Sequence, residues 1–240
     1  MKKHKIPSFK LLILFEDDDY LVVNKPAFLS SLEDRQKDIN LLRMARDYHP
    51  DAQLCHRLDK DTSGVMIIAK NPSSYRAMAI HFENRHVIKV YHAIVDGIHD
   101  LKDYLIDAPI SVIQKSISRI DHTGGKRAKT IIKSLKAYRK HTLVECRPVT
   151  GRMHQIRVHL SSIGAPITGD KTYGGALFFL SSIKTEYRIG KYEVERPLIS
   201  RLALHAQKIS FPLMNNLNKQ IEAPYPKDFA VLLKQLEKNT

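Results

Sequence analysis

The stretch Cys55-His56-Arg57-Leu58-Asp59-Lys60-Asp61-Thr62-Ser63-Gly64 runs straight into Val65-Met66-Ile67-Ile68-Ala69. A dense polar run closing on a glycine is costly to bury. It reads as a polar loop delivered by an apolar strand, the setting in which rigid scaffolds carry chemistry. Leu58 is the lone apolar residue between His56 and Gly64 and is expected to anchor the loop. Asp, Ser and Thr also hydrogen-bond their own backbone in turns, so local chemistry leaves a purely structural turn open. Asp59 is the candidate functional carboxylate. In an extended segment Arg57 points to the same side, and a carboxylate in an electropositive setting stays ionised at neutral pH, able to act as nucleophile or base. Asp61 is a rival by chemistry alone.

Upstream of the loop, 11–15 and 20–23 read as short strands joined by the acidic turn Asp17-Asp18-Asp19, with Asn24-Lys25-Pro26 ending the second. Consecutive carboxylates point apart, so the turn is no metal site. Residues 39–48 carry Ile39, Leu42 and Ala45 or Met44 at helical spacing, with Asp38 as cap and His49-Pro50-Asp51 as the stop. Downstream, a strand at 65–69 precedes a helix over 73–84 with Tyr75, Met78, Ala79 and Phe82 on one face. A strand at 87–95 follows, with Lys89, Tyr91 and Ala93 on one side. The segment 96–125 is polar, with one short strand expected at 108–112, and 119–129 reads as a basic, mobile rim. Strands at 128–135 and 142–147 pair around a turn at 138–141. Met153, Ile156 and Leu160 then mark an amphipathic helix over 152–160, capped by Thr150 and ended by Gly164, with Arg157 off the apolar stripe. A loop at 166–175, an excursion at 176–199, a strand at 202–211 closed by Pro212, and a helix around Phe229, Leu232, Leu233 and Leu236 complete the chain.

Many strands with few helices between them, without regular βαβ alternation or a glycine-rich phosphate loop, predict an α+β fold on a mixed, mostly antiparallel sheet with flanking helices and loops. A basic lead-in at 1–10 would precede a single domain over 11–240.

The 240 residues suffice for a sizeable core, and 43% hydrophobic content excludes a disordered chain. The net charge of +14 favours a polyanionic partner, most simply a nucleic acid. No apolar run is long enough to span a bilayer. The apolar run Leu11–Phe15 is too short for a secretory signal, and Cys55 and Cys146 make no disulfide framework. The chain is therefore expected to be cytoplasmic. Its 12 histidines show no metal-ligand spacing, and His154 and His159 are five apart rather than four. His81, Glu83 and His86 cluster at a helix end but read as solvated. Tyr91 reads as a core tyrosine or as an aromatic platform for a flat base. Arg152 and Arg157 read as surface charges or as forks for a carboxylate or phosphate.

Several stretches together resemble one family. His56-Arg57-Leu58-Asp59-x-x-Thr62-Ser63-Gly64 is similar to the signature of the RluA-type pseudouridine synthases. Val23-Asn24-Lys25-Pro26-Ala27 resembles their opening motif, and Lys89-x-Tyr91-x-Ala93-x-Val95-x-Gly97 their tyrosine strand, followed by Lys126-x-Ala128-x-Thr130. Gly151-Arg152-x-His154-Gln155-Ile156-Arg157-Val158-His159, with Gly164-x-Pro166-Ile167-x-Gly169-Asp170-x-x-Tyr173-Gly174, resembles the third motif, and Leu204-His205-Ala206 the closing one. The resemblance runs in order over about residues 11–212.

It implies isomerisation of uridine to pseudouridine in structured RNA, ribosomal or transfer, with no metal or organic cofactor. Asp59 would attack the uracil ring or the ribose C1′. Tyr91 would stack on the uracil and help remove its C5 proton, Arg157 would pair with the aspartate, and Arg57 would fill the gap left by the flipped nucleotide. His56, Thr62, Arg152 and His154 would join Arg57 in binding substrate, and the protein would be a monomer. Two departures stand out. Phe28 occupies a position where the family usually has glycine, and about ten residues before the first strand leave no room for the S4-like RNA-binding domain of many relatives. A non-catalytic RNA-binding or ribosome-assembly protein on the same fold, and an RNA-uracil glycosylase, are the competing readings.

Overall fold

The apolar run after the polar loop forms the strand Ser63–Ala69, buried at every residue. Only a central strand covered on both faces needs so continuous an apolar sequence. The computed structural model describes residues 6–32, 39–114, 117–184, 187, 190 and 194–239. Asp38, expected as a helix cap, lies outside the described residues, as do parts of the lead-in and the excursion.

In chain order the strands are β1 (Ile13–Glu16), β2 (Tyr20–Lys25), β3 (Gln53–Leu54), β4 (Ser63–Ala69), β5 (Ile88–Asp96), β6 (Tyr104–Asp107), β7 (Ile110–Gln114), β8 (Ile117–Ile120), β9 (Lys129–Ala137), β10 (His141–Pro148), β11 (Leu204–Pro212) and β12 (Asn218–Glu222). The helices are α1 (Leu41–Tyr48), α2 (Pro72–Glu83), α3 (Gln155–Ser162) and α4 (Lys227–Lys238). The fold is α+β and mostly antiparallel, as the sequence predicts. The chain divides into two compact units, residues 1–90 with 205–224 and residues 91–204 with 225–240.

In the first unit β4 lies antiparallel to β2 and β3, β1 extends the sheet beyond β2, and β12 pairs with β11. β11 runs parallel to β4, His205 opposite Ser63 and Ala206 opposite Gly64. That pairing starts β4 two residues before the predicted strand. It also demands the glycine: Gly64 has φ +122°, and a Cβ there would sit 2.2 Å from the Ala206 carbonyl oxygen. The acidic stretch is a turn, the Asp17 carboxylate accepting the Asp19 and Tyr20 backbone N–H groups at 2.9 and 2.6 Å. Asn40 caps α1, its side chain accepting from the Arg43 N–H, and Asn71 caps α2 through the Ser74 N–H. The face of α2 differs from the predicted stripe. Ser74 and Met78 are buried, whereas Tyr75 and Ala79 are exposed. Ser74 takes the inner place because its hydroxyl donates to the Asp19 carbonyl and its own carbonyl accepts from the Tyr20 hydroxyl. Likewise α1 buries Leu41 and Ala45, while Ile39 remains 52% exposed.

The second unit is built on the antiparallel order β5-β10-β9-β6, with β7 and β8 forming a separate ribbon. Three strands stand in the segment where one was expected. β7 exposes most of its residues, so it has no buried face for hydrophobic alternation to report. The stretch read as a mobile rim contains the end of β8, a turn, and the start of β9. In that turn the Asp121 carboxylate accepts the Gly124 and Thr123 N–H groups and the Thr123 hydroxyl, contacts that hold its carboxyl far below the usual carboxylate range. The excursion is not peripheral: Phe178, Ile183 and Ile199 are buried in the same core as Ile94, Val144 and Leu160, together with Phe229, Leu232 and Leu236 of α4.

α3 departs from its prediction in two ways. It starts at Gln155, after His154 in the left-handed region at φ +55°. Thr150 is not its cap; the Thr150 hydroxyl donates to Gln155 Oε1 at 2.7 Å and accepts the Lys129 N–H. Gln155 to Leu160 are all buried, so the helix is enclosed all round rather than amphipathic. Its end follows the expectation. Gly164 sits at φ +72°, its N–H donating to the Ser161 carbonyl and the Ala165 N–H to the Leu160 carbonyl, the paired closure of a Schellman turn.

Candidate active site

Asp59, Arg57, His56 and Thr62 belong to the first unit; Tyr91, Arg152, His154 and Arg157 belong to the second.

The backbone of the Asp59 loop is held at Leu58, Asp59, Lys60 and Thr62. Leu58 is buried, as its anchoring role requires. Ser31 grips Leu58 from both sides, its hydroxyl donating to the Leu58 carbonyl at 2.8 Å and accepting the Leu58 N–H at 3.2 Å. The Thr62 N–H closes a turn onto the Asp59 carbonyl at 3.1 Å. The Lys60 carbonyl accepts the Phe28 N–H at 2.8 Å and the Lys25 ammonium at 3.2 Å. Lys25 is completely buried at the end of β2. Its ammonium also donates to the carbonyls of Pro26 at 3.0 Å and Leu29 at 2.8 Å, the partners a buried charge requires. Asp59 itself is half-buried and Arg57 exposed. The Thr62 hydroxyl is buried and has no hydrogen-bond partner among the described residues.

His56 secures the other side of the loop. Its Nε2 accepts the Ile67 N–H of β4 at 3.0 Å, which places the ring proton on Nδ1, and the ring packs on Phe82 at 5.2 Å. Desolvation, with the Lys89 ammonium nearby, pushes this imidazole down to about 3, so it is a neutral acceptor. Burial pushes the Cys55 thiol up to about 12, which makes it an inert packing residue. Behind the loop the Ser63 hydroxyl and the His205 Nδ1 lie 2.9 Å apart, with His205 Nε2 on the Ala223 carbonyl at 3.1 Å. Lys25, Ser31 and His205 had no assigned role from sequence. The available signal was a lysine ending an apolar strand before a proline.

In the second unit Tyr91 lies on β5 opposite Cys146 of β10, half-buried and packed against the core. Arg157 is buried on α3. Its Nε and Nη2 donate to the two Asp170 carboxylate oxygens at 2.6 and 2.8 Å, and its guanidinium lies 4.8 Å from the Tyr173 ring centroid. That is a fork-to-fork ion pair with an aromatic face beside it. The Tyr173 hydroxyl accepts the Ser118 N–H at 2.9 Å and lies 2.9 Å from His154 Nδ1. Arg152 is exposed, its Nε donating to the Arg127 carbonyl. Sequence reading left Arg157 as surface charge or anion fork; the structure shows it buried and tied to a carboxylate. Among the described residues no group of three or more His, Cys, Asp or Glu is placed to hold a metal, and no helix is long and apolar enough to cross a membrane.

The sequence profile described as RNA pseudouridylate synthase matches residues 19–162. The ribosomal large subunit pseudouridine synthase D of Zymomonas mobilis is 34% identical over 244 residues, 94% of this chain and 73% of that protein. The corresponding synthase C of Vibrio cholerae is 34% identical over 214 residues, 88% of this chain and 64% of that protein. Among solved structures, human RNA pseudouridylate synthase domain-containing protein 4 superposes with a TM-score of 0.71 at 25% identity, covering 95% of both chains. Human RNA pseudouridylate synthase domain-containing protein 1 gives 0.67 at 27% identity, covering 89% of this chain and 83% of that one.

Proposed function

Because the chain belongs to the RNA pseudouridylate synthase family, we propose that it isomerises uridine to pseudouridine in structured RNA, ribosomal or transfer, with Asp59 as the attacking group. The observation that carries this reading is the loop around Asp59, whose backbone is pinned by Ser31, Lys25, Phe28 and Thr62 while the carboxylate stays half-buried. Catalysis by a positioned nucleophile needs that rigidity.

In this reading the target uridine leaves its stack, at a cost of a few kcal/mol recovered in the pocket. Asp59 attacks the ring or the ribose C1′, the N-glycosidic bond breaks, and the retained uracil turns. Its C5 carbon then bonds to C1′, the bond to Asp59 breaks, and the C5 proton leaves while N1 takes one up. No atom is gained or lost overall. Tyr91 supplies the flat face and assists the proton's departure. Arg157 is the basic residue of this reading, and the clamp of Asp170 and the Tyr173 ring presets its guanidinium. Arg57, exposed on the loop, fills the vacated position in the RNA. Arg152 and His154 contact substrate, while buried Thr62, whose N–H closes the turn onto Asp59, and His56 serve it from behind by fixing the loop. The basic surface holds phosphates. Residues 11–240 work as one catalytic domain in a cytoplasmic monomer.

The test is incubation with uridine-containing transcripts followed by nucleoside analysis. Pseudouridine without free uracil is the expected outcome. Free uracil would identify a glycosylase, and RNA binding without either product a non-catalytic RNA-binding protein. Asp59→Asn should abolish product and leave RNA affinity within a few-fold of wild type; turnover at the wild-type rate would overturn the role of Asp59.

A further inference from the structure

We infer that Phe28 is an RNA-contacting residue, a stacking platform for a nucleobase adjacent to the flipped uridine. This rests on the reaction proposed above. Phe28 has φ +66°, in the left-handed region where Cβ crowds the carbonyl oxygen and a bulky side chain is an outlier. The conformation is over-determined by its surroundings. The Phe28 N–H donates to the Lys60 carbonyl at 2.8 Å, and Lys25 ties the same carbonyl to that of Leu29 through its ammonium. Leu29, the next residue, is 1% exposed and fixes the exit of the turn. Relaxing Phe28 to negative φ would therefore disturb a hydrogen bond at the residue that follows Asp59.

Strain held in place at such a point is a reason to ask what the side chain does. Glycine would make this turn without steric cost. The ring is not sealed into the core like Leu29; it is half-buried, on a turn tethered to the Asp59 loop, where Arg57 is exposed. An aromatic face and a guanidinium carried on tethered segments can bind unpaired RNA without reading sequence, the ring stacking on a base and the cation meeting phosphate. With Tyr91 assigned to the target ring, Phe28 takes a neighbouring base.

The experiment measures affinity for a 5′-fluorescein-labelled uridine dodecamer, melting temperature, and pseudouridine yield from unmodified transcripts. Phe28→Leu keeps apolar bulk but removes the π-face; it should bind roughly tenfold more weakly, within the range for one base–aromatic stack. Phe28→Tyr should bind within about twofold of wild type. Phe28→Gly should lose affinity as the leucine variant does while melting close to wild type, since it removes the steric cost along with the ring. If the glycine variant melts much lower, the leucine variant decides. Wild-type affinity in Phe28→Leu, or weakened binding that only tracks unfolding, would overturn the inference. A wild-type protein that makes no pseudouridine would instead sink the proposed reaction, an outcome read in a separate channel.

Discussion

Replacing Asp170 by asparagine tests whether Arg157 is held by a buried ion pair or merely passes near one. The two side chains are 2% and 9% exposed, with Nε on Oδ2 at 2.6 Å and Nη2 on Oδ1 at 2.8 Å. A solvent-exposed pair contributes about 0–1 kcal/mol. Removing one partner of a buried pair costs about 3–5 kcal/mol, because the remaining charge keeps its desolvation cost. Asparagine preserves size and one acceptor oxygen, so the low end applies: a loss of about 3 kcal/mol. For a chain of 240 residues that is a fall in melting temperature of roughly 6–12 °C. Urea unfolding is the assay, with an unchanged slope required before the difference is read as stability. Lys136 and Glu237, 3.5 Å apart and about half exposed, provide the control, and Glu237→Gln should cost under about 1 kcal/mol. The Asp170→Asn loss should also survive high salt, which screens surface pairs far more than buried ones. A loss within about 0.5 kcal/mol of wild type, indistinguishable from the surface control, would refute the claim that this pair presets Arg157.

Lys25→Met should destabilise the protein by about 3 kcal/mol, since it deletes charge-assisted bonds to buried carbonyls. It should also lower kcat more than it raises KM, because the lost contact lies beside Asp59; wild-type stability and kcat would show that the clamp is idle. The neutral His56 ring makes folding sensitive to acid. Its folded value of about 3 lies below the ordinary 6.5, so below pH 6.5 the unfolded chain binds the extra proton and stability falls as pH drops toward 3. The slope from this one group approaches about 1.4 kcal/mol per pH unit. His56→Gln retains an acceptor for the Ile67 N–H and should flatten stability between pH 6 and 4 by about that amount, read from urea midpoints. A residual slope is expected because burial also holds His141 and His159 below the usual imidazole range. An unaltered slope would mean that His56 does not carry the effect.

What the chain disclosed on its own was local in physical origin. The apolar run at 65–69, the proline after Lys25, the glycine at 164 and the apolar spacing of α4 each report a constraint acting within a few residues, and each matches the structure. The ordered motifs nominated Asp59, Tyr91 and Arg157 as the candidate site residues. Failures came where a neighbour distant in sequence decides. Ser74 rather than Tyr75 faces inward because Asp19 and Tyr20 wait there with polar groups. α3 looked amphipathic because Gln155, Arg157 and His159 are polar, yet each is buried with polar partners: Thr130 for Gln155 and His159, Asp170 for Arg157. The same holds for Lys25, whose charge at the end of a strand looks like a surface residue until carbonyls from Leu29 and Lys60 close around it. Periodicity can report where apolar area must go, since that depends on each residue alone. Whether a polar or charged side chain is buried depends on the partner that meets it, and only the tertiary structure brings the partner.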